Sequence, residues 1–272
     1  MAGASREALT SVRGRLTSLR AELPDAAGVT GIAEGLLSVV HLLDREGNLR
    51  RTLGDPALPA AAKADLVDGL LTGQLDPLPL GLLKDIVAQR WSSARDLVDA
   101  VEVLAVTAIF LVAEADGTLD RVEDELFRFA RTVGREPQLR AVLTDRSVDD
   151  DRKQALLNGL LDGKVQDATM RVVQALVLTP RGRTLEDGLE DYAALAADVR
   201  QRTLATVTTA VALDDTQKER LAASLSAQLG HTVQLQVEVD PKVVGGVVVH
   251  VGDEVLDGST RHRLAQARRR LA

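Results

Sequence analysis

The first 200 residues of the chain place apolar side chains three and four positions apart, which is the pattern of amphipathic α-helices. Between residues 102 and 200 this pattern breaks at turn signals such as Asp116-Gly117 and Gly163, and it therefore predicts six short helices. Ser147 or Asp149 is expected to cap the fourth helix. The predicted helices cover Glu102–Ala115, Leu119–Val133, Pro137–Thr144, the residues up to Leu161, Ala168–Leu178 and Thr184–Arg200.

The helical pattern occurs twice, at a constant separation of 90 residues. The segment from Glu46 to Gly73 aligns with the segment from Glu136 to Gly163 without a gap. Chance similarity of Leu-rich helices would rarely align Gly, Asp and Lys as well as Leu. Identical pairs of these types include Asp55/Asp145, Lys63/Lys153, Gly69/Gly159 and Gly73/Gly163. We therefore interpret the first 200 residues as a duplicated six-helix bundle.

The junction between the two copies carries no helix-breaking residue. From about Arg95 to Gly117 the chain contains neither Pro nor Gly. The last helix of the first copy and the first helix of the second copy are therefore predicted to be one continuous helix. Such a helix would fix the orientation of the two copies, whereas a flexible linker would not.

After about Arg202 the hydrophobic period changes from 3.6 to 2, which indicates β-strands. Asp214 or Asp215 is expected to begin one helix, and Ser259 a closing Arg-rich helix. Strands are predicted at Thr203–Val211, Val233–Val239, Val243–Val251 and Glu254–Leu256. The resulting fold class is mainly α, with two tandem six-helix bundles (residues 1–100 and 101–200) followed by a small α+β domain (201–272).

The composition narrows the classes of function. The chain has no Cys, four scattered His and 2% aromatic residues, which excludes thiol chemistry and disfavours metal centres and base stacking. The net charge of −7 disfavours nucleic acid as a partner. The longest apolar stretch, Val101–Val112, is interrupted by Glu102 and is too short to span a bilayer. We expect no catalytic residue, no cofactor, no metal and no membrane insertion, and a function in binding.

Each of three charged segments has two possible roles, one in binding and one in the fold. Residues 179–183, with two Arg, either bind phosphate or form a polar turn between helices. Asp149-Asp150-Asp151 either holds a metal or complements the dipole at a helix N-terminus. The Arg-rich end of the chain, residues 261–270, either contacts an acidic partner or supplies cations near a helix C-terminus.

The C-terminal segment carries a specific resemblance. Residues 239–249 read VDPKVVGGVVV, and residues 252–259 read GDEVLDGS. This sequence resembles the signature of the δ subunit family of F-type ATP synthases, whose mitochondrial members are called oligomycin-sensitivity-conferring proteins. Ala108-Ile109-Phe110, Lys153 and Arg181 or Arg183 are similar to motifs of the helical domain of the family. The matching signature residues are Asp240, Pro241, Gly245, Gly246, Gly252, Asp253, Asp257, Gly258 and Ser259.

The chain departs from the family pattern in two places. Val103-Leu104-Ala105 stands where the family usually has Arg-Tyr-Ala, so contacts made through that Arg and Tyr are not carried over. The first 100 residues are an additional copy of the helical domain, and this arrangement resembles actinobacterial forms of the subunit. The additional copy is expected either to bind a second α subunit or to brace the b-type stalk.

The resemblance implies a peripheral-stalk subunit that joins the catalytic head to the b-type stalk, at the cytoplasmic face of the plasma membrane. N-terminal helices of α subunits would dock on the helical domain, and C-termini of b-type subunits on the C-terminal domain. The alternative is a helical-repeat adaptor that binds partner helices outside ATP synthase. The docking groove is expected to involve residues that are equally suited to the core: Ala105, Ala108, Ile109, Val112, Val172, Ala175 and Leu176.

Overall fold

A computed structural model describes residues 3–229, 233–240, 247–251 and 254–257. The chain separates into two compact units, residues 1–196 and 197–272. Both copies of the helical pattern lie in the first unit, and the boundary near residue 100 stays a prediction. The closing helix and most of the signature lie outside the described residues, namely Pro241, Gly245, Gly246, Gly252, Asp253, Gly258 and Ser259.

The mainly α fold class is confirmed. The described chain contains twelve helices, and eleven of them begin in the first unit. Their bounds are α1 Gly3–Glu22, α2 Ala26–Arg45, α3 Gly47–Gly54, α4 Ala60–Leu71, α5 Pro77–Ala88, α6 Ala94–Ala115, α7 Leu119–Arg135, α8 Pro137–Thr144, α9 Asp150–Leu161, α10 Asp167–Leu178, α11 Leu185–Thr203 and α12 Asp215–Leu229.

The helix bounds repeat at the same interval as the sequence. Three pairs of helices, α3 and α8, α4 and α9, and α5 and α10, have first and last residues that are 90 positions apart. Gly73 follows α4 with φ 83°, and Gly163 follows α9 with φ 66°. A residue without Cβ is favoured at both places because only glycine adopts a positive φ without strain. The 90-residue repeat of the sequence is therefore also a repeat of helix bounds in the structure.

Helix α6 is the centre of the first unit. It is one continuous helix from Ala94 to Ala115, as predicted for the junction of the two copies. Buried side chains occur on almost all of its sides, which is typical of a helix that is surrounded by others. Its neighbours include α1, α2, α3 and α5 of the first copy and α7 and α10 of the second.

Helix α2 makes the most extensive contact with α6. It buries apolar side chains along its whole length: Val29, Ile32, Ala33, Leu36, Val39, Val40 and Leu43. Among the described helices it alone has the length and mean hydropathy, 1.6, of a membrane span. Because its apolar side packs on α6, it has the position of a core helix in this unit.

The contact between α3 and α6 depends on a glycine. A Cβ at Gly54 would lie 2.5 Å from Cα of Ala94, where α6 begins. Backbone atoms cannot move aside as a flexible side chain can, so a larger residue at position 54 would separate the two helices. Gly54 therefore lets the end of α3 touch the start of α6.

The second unit is a four-stranded sheet with one described helix, α12. Its strands are β1 Leu204–Thr209, β2 Gln234–Val239, β3 Val247–Val251 and β4 Glu254–Asp257, in the order β2-β1-β3-β4. β1 is parallel to β2 and antiparallel to β3, and β3 is antiparallel to β4. The core of this unit is formed by Ala205, Val207, Leu225, Val233, Val249 and Val251.

The start of α12 confirms one of the two predicted caps. The amide of Gln217 donates to Oδ1 of Asp214 at 2.7 Å, and the amide of Asp214 donates to Oε1 of Gln217 at 3.0 Å. This reciprocal pair is a capping box, which satisfies two amides that the helix leaves without partners. Asp214, rather than Asp215, is therefore the cap.

Candidate partner-binding surface and the junction of the two repeats

The residues predicted to line a docking groove lie on α6 and α10, which pack against each other. Two of them, Val112 and Ala175, are half-buried. The other five are at most 5% exposed: Ala105, Ala108, Ile109, Val172 and Leu176. Most of the predicted groove is thus core in this chain, and a role for these residues in partner binding stays a prediction.

Helix α2 runs beside α10, across α6. Glu34 of α2 pairs with Arg171 of α10, and Oγ1 of Thr179, directly after α10, lies 3.3 Å from Nδ1 of His41 on α2. Since the two contacts follow the same order along both helices, α2 and α10 are parallel neighbours. One side of the groove between α6 and α10 is therefore closed by a helix of the first repeat.

A cavity of about 370 Å³ remains where these helices meet. Thr30 and Ala33 of α2 form one wall, and Ile109 and Val112 of α6 form another. The third wall is the start of α10, with Arg171 at its rim. Two residues of the predicted groove, Ile109 and Val112, thus line a mixed polar and apolar cavity between the two repeats.

The first repeat has a different surface at the corresponding place. Arg15 and Asp85 occupy the positions that correspond to Ala105 and Ala175. Nε of Arg15 lies 3.2 Å from Oδ2 of Asp85, and both side chains are 48% exposed. The gap between α1 and α5 is therefore bridged by a solvent-exposed ion pair, whereas α6 and α10 carry two alanines at the corresponding positions.

Glu102 of α6 is the centre of a buried ionic network. Its two carboxylate oxygens accept hydrogen bonds from Arg181 (2.5 Å) and from Arg183. Tyr192 of α11 donates its hydroxyl to the same carboxylate at 2.5 Å. The side chains of Glu102 and Arg181 are only 5% and 6% exposed, and Arg181 also pairs with Asp99.

The two arginines lie in the turn between α10 and α11. Arg181 adopts φ 52° and the following Gly182 φ 77°, a left-handed pair that reverses the chain. The backbone carbonyl of Arg181 accepts a hydrogen bond from Arg95 of α6 at 3.3 Å. Because both guanidinium groups are paired with carboxylates, the interpretation as a turn between helices fits the structure better than phosphate binding.

Tyr192 provides a test of this network, since it is the only tyrosine of the chain. Burial and the charge of Glu102 raise the pKa of Tyr192 well above the usual value of 10.0, and Arg183 opposes this. A pKa that is higher in the folded state means that deprotonation favours unfolding. The stabilising contribution is therefore complete below the unfolded pKa, near 10, and is lost as the pH rises above it.

We expect the phenolate absorbance of Tyr192 to appear only as the first unit unfolds in alkali. The fluorescence of the single Trp91, which is buried in the same unit, reports that unfolding independently. Tyr192→Phe serves as the control and should abolish the absorbance change. A phenolate signal near pH 10 in a chain whose Trp91 fluorescence is still native would contradict the network.

The network was not found from the sequence, although one signal was present. Glu102 is the one carboxylate within the apolar stretch Val101–Val112, and a buried carboxylate requires a cationic partner. Its partners lie 79 and 81 positions further along the chain, in a segment that was open to two interpretations. Glu102 meets these two arginines only because the turn after α10 packs against α6 in the folded chain. No local sequence pattern encodes that contact.

Comparison with known proteins identifies relatives of this chain. The family profile described as "ATP synthase delta (OSCP) subunit" matches residues 106–271. A protein named ATP synthase subunit delta from Streptomyces avermitilis is 50% identical, with 99% of this chain and 98% of that protein covered. Its namesakes from Streptomyces griseus and Thermobifida fusca are 49% and 44% identical, with both chains covered completely.

One solved structure also aligns. A chain of the mitochondrial ATP synthase hexamer of Toxoplasma gondii is 19% identical, with 61% of this chain and 94% of that chain covered, at a TM-score of 0.30. The family profile begins within α6 and therefore omits the first repeat. The three bacterial relatives extend over that repeat as well.

Proposed function

The chain belongs to the ATP synthase delta (OSCP) subunit family, and we propose that it is the peripheral-stalk subunit that joins the catalytic head to the b-type stalk. In this position it resists the torque of the rotor during proton-driven ATP synthesis. The observation that carries the proposal is the similarity to ATP synthase delta subunits over the full length of the chain. A peripheral stalk subunit holds other subunits in place, so we propose a non-catalytic role.

The junction of the two repeats has the stiffness that a subunit needs if it transmits force between the head and the stalk. A shared helix of 22 residues, about 33 Å long, runs through the first unit. The paired Glu102, Arg181, Arg183 and Tyr192 attach the turn after α10 to this helix. The shared helix opposes relative movement of the two repeats, and the network stiffens the second repeat around it, which supports a mechanical function.

We propose that the N-terminal helix of an α subunit contacts the cavity between α6 and α10. The half-buried side chains of Val112 and Ala175 are the accessible parts of the predicted groove. The C-termini of b-type subunits would contact the second unit. The protein would then lie peripherally, at the cytoplasmic face of the plasma membrane.

Binding of the purified full-length chain to the catalytic head of the same ATP synthase tests the proposed function. We expect a stable complex in a pull-down with purified head. A correctly folded chain that fails to bind the head would contradict the stalk role. It would favour an adaptor that acts outside ATP synthase.

Ala175→Asp tests the groove. We expect it to weaken binding to the head by about tenfold to a hundredfold, because an unpaired carboxylate would be buried at the contact. The fold should tolerate the change, because Ala175 is only half-buried. The affinity is measured by titration of the head, and the fold is checked by thermal melting.

Asp85→Ala is the matched control. It removes the exposed pair with Arg15, which contributes at most about 1 kcal/mol to stability. Binding to the head should be unchanged if the second repeat carries the contact. Weaker binding of Asp85→Ala, with unchanged binding of Ala175→Asp, would contradict this assignment and move the contact to the first repeat.

A further inference from the structure

A second cavity, of about 410 Å³, lies in the first repeat at the start of α4. It is lined by residues 56–60, by Lys63 and by residues 88–90 at the end of α5. Lys63 is 4% exposed. Among the described residues its ammonium group has neither a hydrogen bond nor an ion pair. A cation without a counter-charge on a side chain buried to this extent is costly, and its position on the cavity wall indicates a missing negative partner.

The backbone adds positive potential at the same place. Pro59 precedes α4 and supplies no side-chain cap, and the first turn contains no acidic residue. The first helical hydrogen bond is donated by the amide of Lys63 to the carbonyl of Pro59, at 3.2 Å. The amides of Ala60, Ala61 and Ala62 therefore have no partner within the helix. Arg90, an exposed residue at the end of α5, also lines the cavity.

The second repeat has a more acidic sequence at the corresponding place. Lys153 corresponds to Lys63 and is 6% exposed. There, however, Asp149 precedes α9, and its first turn holds Asp150 and Asp151. In the first repeat these positions are Pro59, Ala60 and Ala61, so the start of α4 lacks the three carboxylates of α9.

One acidic group remains near Lys63 in the first repeat. Burial lowers the pKa of Lys63, and the charge of Asp55 acts in the opposite direction. Oδ1 of Asp55 already accepts a hydrogen bond from the amide of Ala57, at 2.8 Å. It forms no ion pair with Lys63, so the ammonium group still lacks a directly bonded anion.

We propose that this cavity binds a phosphate group. The ammonium group of Lys63 and the free amides at the start of α4, where Ala60 lines the cavity, hold its oxygens, and Arg90 closes the site from the surface. A helix N-terminus with a neighbouring cation is a general site for phosphate. Three amides and two cationic side chains supply more donors than the two oxygens of a carboxylate can use, which favours a tetrahedral dianion. The group comes either from free phosphate or from a nucleotide.

Titration of the isotope-labelled full-length chain with inorganic phosphate at constant ionic strength tests the site. We expect saturable shifts of the amide signals of Ala60, Ala61 and Ala62. The signals of Asp150 and Asp151 should stay unchanged. Shifts that do not saturate, or that occur equally in both repeats, would overturn the proposal.

Variants at corresponding positions give the decisive comparison. Lys63→Met should weaken phosphate binding by about tenfold or more, because a charge-assisted hydrogen bond is lost. Lys153→Met is the matched control and should leave the affinity unchanged. Equal affinity of Lys63→Met and the unaltered chain would contradict the site.

A double variant, Ala60→Asp with Ala61→Asp, gives the first repeat the acidic start of the second. It should abolish phosphate binding without lowering the melting temperature, since acidic residues are favourable at a helix N-terminus. Retained binding would also overturn the proposal.

A parallel titration with ADP separates the two sources: tighter binding than phosphate identifies a nucleotide, and equal or weaker binding identifies free phosphate. In either case the binding must depend on Lys63.

Discussion

Replacing Glu102 by Ala is expected to lower the free energy of unfolding of the first unit by about 3–5 kcal/mol. The carboxylate neutralises Arg181 and Arg183 and accepts the hydroxyl of Tyr192. After its removal Arg181, with a side chain only 6% exposed, keeps just the half-buried Asp99 as a partner. Since a buried charge without its main partner retains the cost of desolvation, the loss exceeds that of an ordinary hydrogen bond.

Urea unfolding followed by the fluorescence of Trp91 measures this effect in the first unit alone, because Trp91 is the only tryptophan of the chain. Asp68→Ala is the matched control. It also removes one carboxylate, but the ion pair of Asp68 with Lys84 is exposed, at 44% and 37%, and should contribute at most about 1 kcal/mol. Similar losses for the two variants would contradict the importance of the buried network.

Removal of residues 1–93 is expected to have a still larger effect, the loss of the native fold of the second repeat. This deletion removes α2, which buries seven apolar side chains in contact mainly with α6. The six larger ones, all except Ala33, each contribute about 1.5–3 kcal/mol when buried. Together they are comparable with the whole stability of a typical domain, about 5–15 kcal/mol. The shortened chain should therefore aggregate or lose cooperative melting.

Circular dichroism and gel filtration of residues 94–272 check this expectation. Addition of residues 1–93 as a separate chain is the control, because it restores the missing packing surface and should restore a soluble complex. A monomeric fragment 94–272 with native helicity and a sharp melting transition would contradict the central position of α6. If the expectation holds, head binding cannot be assigned to one repeat by deletion, and point variants such as Ala175→Asp are required.

The repeating parts of the fold were predictable from the sequence, because they depend on local signals. The 90-residue register located the bounds of α3, α4 and α5 relative to α8, α9 and α10. Gly163 marked the end of α9, and Asp214 the start of α12. The absence of Pro and Gly before Gly117 indicated the single helix α6. Each of these signals acts within one or two turns of helix.

The site was less predictable, because it depends on contacts between distant segments. The predicted groove assumed that α6 and α10 have a free common face, but α2 of the first repeat covers much of it. The repeat alignment pairs Lys63 with Lys153 because both positions are lysine. It gives no sign that their surroundings differ, since only the preceding residues differ in charge. An alignment of the repeats compares corresponding positions and contains no information on contacts between the repeats.

The shared helix has a consequence for the ancestry of the protein. Two complete six-helix units would contain twelve helices, but α6 serves both copies, so eleven helices begin in the described first unit. The duplication therefore added five helices and joined the copies inside a sixth. A later deletion of the additional copy would have to cut within α6, so the shortened helix would need a new N-terminus. The same deletion would expose the apolar side of α6 that α2 covers. Descendants of such a fusion are expected to keep the extra repeat even where its original benefit has been lost, because small mutational steps cannot remove it without unfolding the remainder.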